Sequence, residues 1–171
     1  MVTTRMEFCS IMLDKLCPCG SKNNYQACCG KYHHDNAIAE TPETLMRSRY
    51  TAYAMSDITY IKKTMQGKPL VNFNETDALH WTKSVCWLGL EVLKSQYDNI
   101  DKTRGYVEFI AKYLDGNVVN TIHEVSEFKQ SDQHWYYVDG KQIHTPAIKI
   151  SRNSLCPCGS LKKIKHCHAL K

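Results

Sequence analysis

The chain has 171 residues with a formal charge of +5, which is the length of one domain and at most two. With 43% hydrophobic and 23% charged residues it has enough apolar material for a core, so wholesale disorder is excluded. No apolar run approaches the roughly 18 residues that would span a bilayer. The segment after Arg5, Phe8-Cys9-Ser10-Ile11-Met12-Leu13, is too short for a signal-peptide core and lacks a small-residue cleavage site. A cytoplasmic protein is expected.

Residues 1–15 fit no pattern and read as an extension without ordered structure, with Met12 as an alternative start. The anomaly begins after them. Of nine cysteines, Cys9 and Cys86 stand alone, while seven cluster near the two ends of the chain. Close-spaced cysteines in a reducing compartment favour metal ligation over disulfides. The first cluster, in a module over 16–33, is Cys17, Cys19, Cys28 and Cys29, four ligands for a closed tetrahedral zinc site. Pro18 stiffens the turn between the first two ligands, and Gly20 is free to take a positive φ where the chain leaves it. Ser21 reads as the N-cap of a short helix carrying the last two cysteines. His33 and His34 read as solvent-facing loop residues.

The body follows over 42–149. Pro42 and Glu43 suit a helix N-terminus, and Met46, Tyr50, Tyr53 and Ala54 recur at helical spacing. Ser56-Asp57 marks a stop and a fresh cap, after which Ile58, Ile61 and Met65 continue an apolar face. Gly67-Lys68-Pro69 is expected to end that second helix, and a third is expected over 74–85. From Cys86 the period changes to two: Leu88, Leu90 and Val92, then Val107, Phe109, Ala111 and Tyr113. Segments 118–129 and 135–138 follow, with turns at Asp115-Gly116-Asn117 and Ser131-Asp132-Gln133 and with Asp139-Gly140 after the last strand. Helices followed by four or five antiparallel strands specify an α+β fold, helices packed on one face of a curved antiparallel sheet.

The second cluster, in a module over 152–171, repeats the first. Leu16-Cys17-Pro18-Cys19-Gly20-Ser21 recurs as Leu155-Cys156-Pro157-Cys158-Gly159-Ser160, and Cys28-Cys29 answers Cys167-His168. The shared spacing is C-x-C-x8-C-[C/H]. The second ligand set is therefore Cys156, Cys158, Cys167 and His168, with His166 the alternative fourth ligand. Buried free thiols or disulfides formed on oxidation are the competing readings, and the repeated four-ligand spacing favours two structural zinc ions per chain. Seven thiolates and two divalent ions lower the formal charge by three, so basicity has to be argued locally. Arg152, Lys162, Lys163, Lys165 and Lys171 form a run with no acidic residue after Asp139, whereas residues 16–31 carry only Lys22 and Lys31.

The spacing resembles the SEC-C motif, the small zinc module at the C-terminus of the bacterial translocation ATPase SecA, which there binds the chaperone SecB. The motif's usual Gly-Lys-Lys after the serine is Leu161-Lys162-Lys163 in the second copy and Lys22-Asn23-Asn24 in the first. Pro42-Glu43-Thr44-Leu45-Met46-Arg47-Ser48-Arg49-Tyr50, Trp87-Leu88-Gly89-Leu90, Glu124-Val125-Ser126-Glu127-Phe128 and Trp135-Tyr136-Tyr137-Val138-Asp139-Gly140 fall in the order of the YchJ family. The chain resembles that family from about Leu16 onward. The resemblance implies a middle domain shaped as a nuclear-transport-factor-2-like, or cystatin-like, cone flanked by SEC-C motifs, and it implies no reaction.

Candidates for chemistry inside the cone are His123, Glu124, Glu108, Trp81, Trp87, Tyr113 and Trp135. His123 and Glu124 are neighbours on a strand, leave opposite faces and cannot form one dyad. Glu124 shares a face with Ser126 and Phe128, and an internal contact with Arg47 or Arg49 is expected to satisfy it. Trp87, Glu124, Ser126 and Trp135 are the pocket candidates, and Glu43 is expected to pair with Arg47 one turn on. Phosphate loops, nucleophile elbows and H-E-x-x-H are missing from the sequence. The expected function is a non-catalytic zinc-binding adaptor whose modules dock on an acidic macromolecule, such as a protein chaperone, the ribosome or anionic lipid, with no sequence-specific reading of nucleic acid. The alternative is an enzyme or small-ligand binder using the interior of the cone.

Overall fold

The computed structural model describes residues 16–167. The extension expected over 1–15 lies outside the described residues, as do His168 and Lys171. From the first cysteine turn the chain enters a π-helical turn, Gln26–Gly30, which runs on into α1 (Lys31–His33). The longest helix, α2 (Pro42–Met55), starts where Thr41 Oγ1 accepts from the Thr44 N–H at 3.1 Å. It stops at Ser56, which takes the left-handed conformation at φ 58°. Asp57 then caps α3 (Ile58–Lys63) by accepting from the Tyr60 N–H at 3.0 Å.

The Gly67-Lys68-Pro69 tripeptide opens a helix instead of closing one. α3 has already ended at Lys63, and the next residues run along β4 (His134–Ile143): Tyr137 N–H donates to Thr64 O at 2.9 Å and Gln66 N–H to Tyr137 O at 3.0 Å. Gly67 then starts the one-turn α4 (Lys68–Val71), where Pro69 fits because the first turn has no use for its missing N–H. α5 (Glu75–Ser84) is capped by Asn74, whose Oδ1 accepts from the Thr76 and Asp77 N–H groups.

The sheet is an antiparallel meander in the order β1 (Cys86–Tyr97), β2 (Arg104–Asp115), β3 (Val118–Ser131), β4, with β5 (Ile148–Lys149) pairing the start of β3. Register shifts at Leu88 and Leu93 in β1 and at Val138 in β4 bend it around α2. β4 runs through Asp139-Gly140, where a turn was expected, because Ser126 and Glu127 of β3 pair with Gly140 and Asp139. α2 packs against β1, β2 and β4, and Leu45, Met46, Tyr50, Ile61, Val107 and Phe128 are buried between helices and sheet. Ridges of large apolar side chains on the helix thus meet the concave face of the strands, the α+β architecture the period change called for.

The two cysteine modules sit on different surfaces of this body. The first rests on α2 and on Leu90 of β1. The second covers the face of the sheet turned away from α2, where Cys86, Leu114 and Val119 pack with Cys156, Ile164 and Cys167.

Candidate metal centres and an internal cavity

Both cysteine clusters are assembled by the same local hydrogen bonds. Cys17 N–H donates to Asn23 O at 2.7 Å, and Cys156 N–H to Lys162 O at 2.7 Å. Gly20 N–H donates to Cys17 O, and Gly159 N–H to Cys156 O, each at 3.3 Å. Cys28 N–H donates to Tyr25 O, and Cys167 N–H to Ile164 O, each at 3.0 Å. Six residues of identical sequence therefore fold identically twice, and the turns bring sulfurs nine residues apart into contact. Gly20 has φ +78° and would place a Cβ 3.3 Å from Leu90 O, so both conformation and space call for glycine.

The sulfurs of Cys17, Cys19, Cys28 and Cys29 all lie within 4.8 Å of one another, as do those of Cys156, Cys158 and Cys167. Cys19 and Cys28 are 3.6 Å apart, Cys28 and Cys29 4.0 Å, and Cys158 and Cys167 3.5 Å. A disulfide would need about 2.05 Å. Four thiolates at ~2.3 Å from a tetrahedral zinc ion stand about 3.8 Å apart, so the observed spacing suits a metal and not a covalent bond. Hydrogen bonding within the first cluster shifts its thiols in opposite directions. Cys19 is pulled well below the usual thiol range by bonds from Cys17 and then Cys29, while Cys17 is pushed up to about 11 by its bond to Cys19. Burial pushes Cys156 of the second cluster up to about 12. A bound divalent cation reverses those upward shifts by favouring thiolate throughout. Both clusters can hold a metal ion.

The serines after each C-x-C do something other than cap a helix. Ser21 Oγ lies 3.2 Å from Cys28 Sγ and Ser160 Oγ 3.1 Å from Cys167 Sγ, placing a hydroxyl within hydrogen-bond reach of a cluster sulfur in both modules. Each hydroxyl oxygen also accepts from the N–H two residues on, at Asn23 and Lys162. The next position is left-handed in both copies, Lys22 at φ 63° and Leu161 at φ 59°. This accounts for the glycine usual there in the motif. Around the second cluster Arg152, Lys162, Lys163 and Lys165 are all exposed, together with Leu155 and Leu161.

His33 is not a solvent-facing loop residue. It lies in α1, half-buried, with Nε2 2.9 Å from Ser48 O and Nδ1 3.0 Å from Tyr25 Oη. With Nε2–H donating to the carbonyl, Nδ1 accepts from the tyrosine, and burial holds its pKa below the usual histidine value. His34 is exposed and meets the same Tyr25 hydroxyl at 3.1 Å. Arg47 ties the module down further: Nε pairs with Glu43 at 2.9 Å, as expected, and Nη1 donates to Cys19 O at 2.9 Å.

A cavity of about 250 Å³ lies between α2, α5 and the concave face of the sheet. Trp87, Glu124 and Ser126 line it, and Trp135 does not. Trp135 is buried beside Tyr97, its Nε1–H donating to Glu40 O at 3.3 Å, because the curl of the sheet carries that end of β4 away. Trp87 stands edge-on to Tyr50 and Trp81 at 5.3 and 5.4 Å, and among the described residues its indole N–H has no hydrogen-bond partner. Tyr113 belongs to the same ring cluster, 5.6 Å from Trp87.

Glu124 is satisfied without an arginine in contact. Its Oε1 accepts from Ser126 Oγ at 2.5 Å and Tyr137 Oη at 3.3 Å, and its Oε2 from Gln142 Nε2 at 2.7 Å. Arg49 is buried over the face of the Tyr137 ring, its guanidinium carbon 4.9 Å from the ring centroid. Its Nη1 donates to Ile61 O at 2.8 Å and Thr64 Oγ1 at 2.6 Å. Burial lowers the pKa of Arg49, with the Glu124 charge among the groups opposing that. His123 and Glu108 pair at 2.8 Å on the opposite face of the sheet, so the cavity contains no histidine–carboxylate dyad. Gln142 was missed by the sequence reading, since nothing local marks a glutamine beyond the expected end of the last strand.

Two family models match the chain: the middle NTF2-like domain of YchJ over residues 41–140, and the SEC-C motif over 152–170. A UPF0225 protein of Geobacter sulfurreducens is 42% identical over 91% of this chain and 98% of its own length. The chain belongs to the YchJ (UPF0225) family. The UPF0225 protein YchJ of Shigella dysenteriae is 36% identical over the same share of each chain. Among solved structures, the SEC-C motif-containing protein of Rhodopseudomonas palustris is similar with a TM-score of 0.68 and 35% identity, covering 75% of this chain and 99% of that one. A SEC-C motif-containing protein of Psychrobacter arcticus has a TM-score of 0.64 and 27% identity, covering 91% and 97%. The SEC-C match falls on the second cysteine module, and the fold agrees with the helix-then-meander order. Among the described residues no helix is long and apolar enough to cross a membrane.

Proposed function

We propose that the protein is a zinc-binding adaptor that holds two ions per chain, one on Cys17, Cys19, Cys28 and Cys29 and one on Cys156, Cys158, Cys167 and His168. The observation that carries this is the duplicated sulfur geometry, with matching turns and a serine hydroxyl on a ligand sulfur each time. Outer donors of that kind orient and stabilise first-sphere ligands at metal sites. Zinc is favoured over iron–sulfur or copper chemistry by a closed set of four thiolate or thiolate-and-imidazole ligands, the donor set of structural zinc sites. Such an ion has no open coordination position, so its work is to fold the module.

The same reading assigns docking to the second module. Arg152, Lys162, Lys163 and Lys165 are exposed around exposed Leu155 and Leu161, and Lys171 continues the run in sequence. That surface suits an acidic macromolecule with an apolar contact at its centre: a chaperone surface, the ribosome or anionic lipid. The first module lacks the basic run and is fixed to α2, so it serves as structure.

Elemental analysis of protein purified without chelator should return close to two zinc ions per chain, and one or none with fully reduced thiols defeats the assignment. Cosedimentation with purified ribosomes and with phosphatidylglycerol vesicles should show binding to one of them that weakens steeply with salt. Lys162, Lys163 and Lys165 changed together to Glu should abolish that binding while both ions stay bound. Binding that ignores salt and survives the triple change would place the interface elsewhere.

A further inference from the structure

The cavity inside the cone contains two buried opposite charges that do not touch. Arg49 is 6% exposed and Glu124 9%. Both meet Tyr137, whose ring face supports the guanidinium and whose hydroxyl donates to the carboxylate. Buried ions normally neutralise each other by direct contact, because an isolated charge in an apolar surround is costly. Here each keeps unused capacity. A guanidinium has five N–H donors, and among the described residues only Nη1 finds hydrogen-bond acceptors. Glu124 Oε2 accepts a single bond, from Gln142. Both side chains line the same space, and apart from Ser126 and Gln142, which bond Glu124, the remainder of its wall is aromatic and aliphatic, with Tyr50, Tyr53 and Trp81 on the helix side.

We propose that this cavity binds a free α-amino acid with an aromatic or large apolar side chain. Its carboxylate meets the unused donors of Arg49, its ammonium meets Glu124, and its side chain lies among the rings. The charge balance selects this class. A simple acid would pair Arg49 and bring a second negative charge toward Glu124, and a simple amine would do the converse. A zwitterion pairs both buried charges and adds no net charge. Planar guanidinium donors match a carboxylate, and an ammonium beside aromatic faces gains a further attraction. At about 250 Å³ the space falls below the roughly 300–1,000 Å³ of drug-sized sites, which fits a ligand the size of one amino acid. No residue of either cysteine cluster takes part, so this inference stands apart from the metal count.

Isothermal titration of the full-length protein with L-phenylalanine and L-leucine tests it, with Trp81 and Trp87 fluorescence as a second readout. One site per chain is expected. 3-Phenylpropionate, which lacks the ammonium, and 2-phenylethylamine, which lacks the carboxylate, should each bind at least about tenfold more weakly, because each leaves a buried charge unpaired. Glu124→Gln and Arg49→Lys should weaken L-phenylalanine binding by a similar factor. Ala111→Leu, which fills the space and removes no polar group, should abolish it, and this variant keeps the test valid if a charge variant fails to fold. The inference is overturned if none of the twenty amino acids binds at millimolar concentration. It is equally overturned if either analogue matches L-phenylalanine, or if binding survives Ala111→Leu.

Discussion

At the scale of single residues the molecule turns on groups whose partners are far away in sequence. Gly140 pairs with Ser126 across the sheet, and a Cβ there would collide with the Tyr137 hydroxyl and the Glu124 carboxylate. Gly140→Ala should therefore destabilise by about 1–3 kcal/mol, the usual range for overpacking, measured by urea denaturation of the full chain. An unchanged midpoint would mean the carboxylate network has room to shift. Leu161 is the opposite case, a branched side chain held at φ 59° and 84% exposed. Its left-handed backbone costs roughly 1–2 kcal/mol that a glycine does not bear. Leu161→Gly should slow the loss of metal from the second module to a competing chelator, and faster loss would show that the leucine is making a contact there.

At the scale of elements, the break between α2 and α3 at Ser56-Asp57 was legible in sequence, because a cap is a bond between near neighbours, whereas the end of α3 was not. Thr41, Ser56, Asp57 and Asn74 act where local chemistry places them. The run from Thr64 to Gln66 and the length of β4 were not legible, since both are fixed by pairing with Tyr137 and with β3. His33 belongs to this scale because it joins α1 to α2. Its pKa is lowered by burial, so the unfolded chain binds the proton first. The stability from keeping it neutral is present above about pH 6.5, the unfolded value, and is lost as the pH falls toward the folded value. Stability should drop with acidification below that point, and His33→Gln should flatten this part of the profile, with guanidinium melts at several pH values as the measurement. A profile identical in the variant would remove His33 from the account.

At the scale of the whole molecule, the second cysteine module also acts as a lid on the sheet face away from α2, burying Leu114 and Val119. Cys158→Ser should release one ion and unravel that module while the body stays folded. Exposure of those two side chains should lower the stability of the body by roughly 3–6 kcal/mol, at about 1.5–3 kcal/mol for each large apolar group, read as a fall in melting temperature. A body that melts no earlier would mean the contact contributes nothing, and a body that no longer unfolds cooperatively would make the module part of the core.

The sequence by itself determined the duplicated cysteine module, the order of helices before strands, and the faces of His123 and Glu124. Each follows from a spacing that local geometry turns directly into structure: a tight turn, a period of 3.6 or a period of two. Only the tertiary structure decided what the serines of the modules do, where His33 goes, and that Glu124 is held by Ser126, Tyr137 and Gln142 while Arg49 lies over the Tyr137 ring. Those contacts join segments separated by the curl of the sheet and the packing of α2 against it. Their energies depend on burial, and burial is a property of the assembled fold.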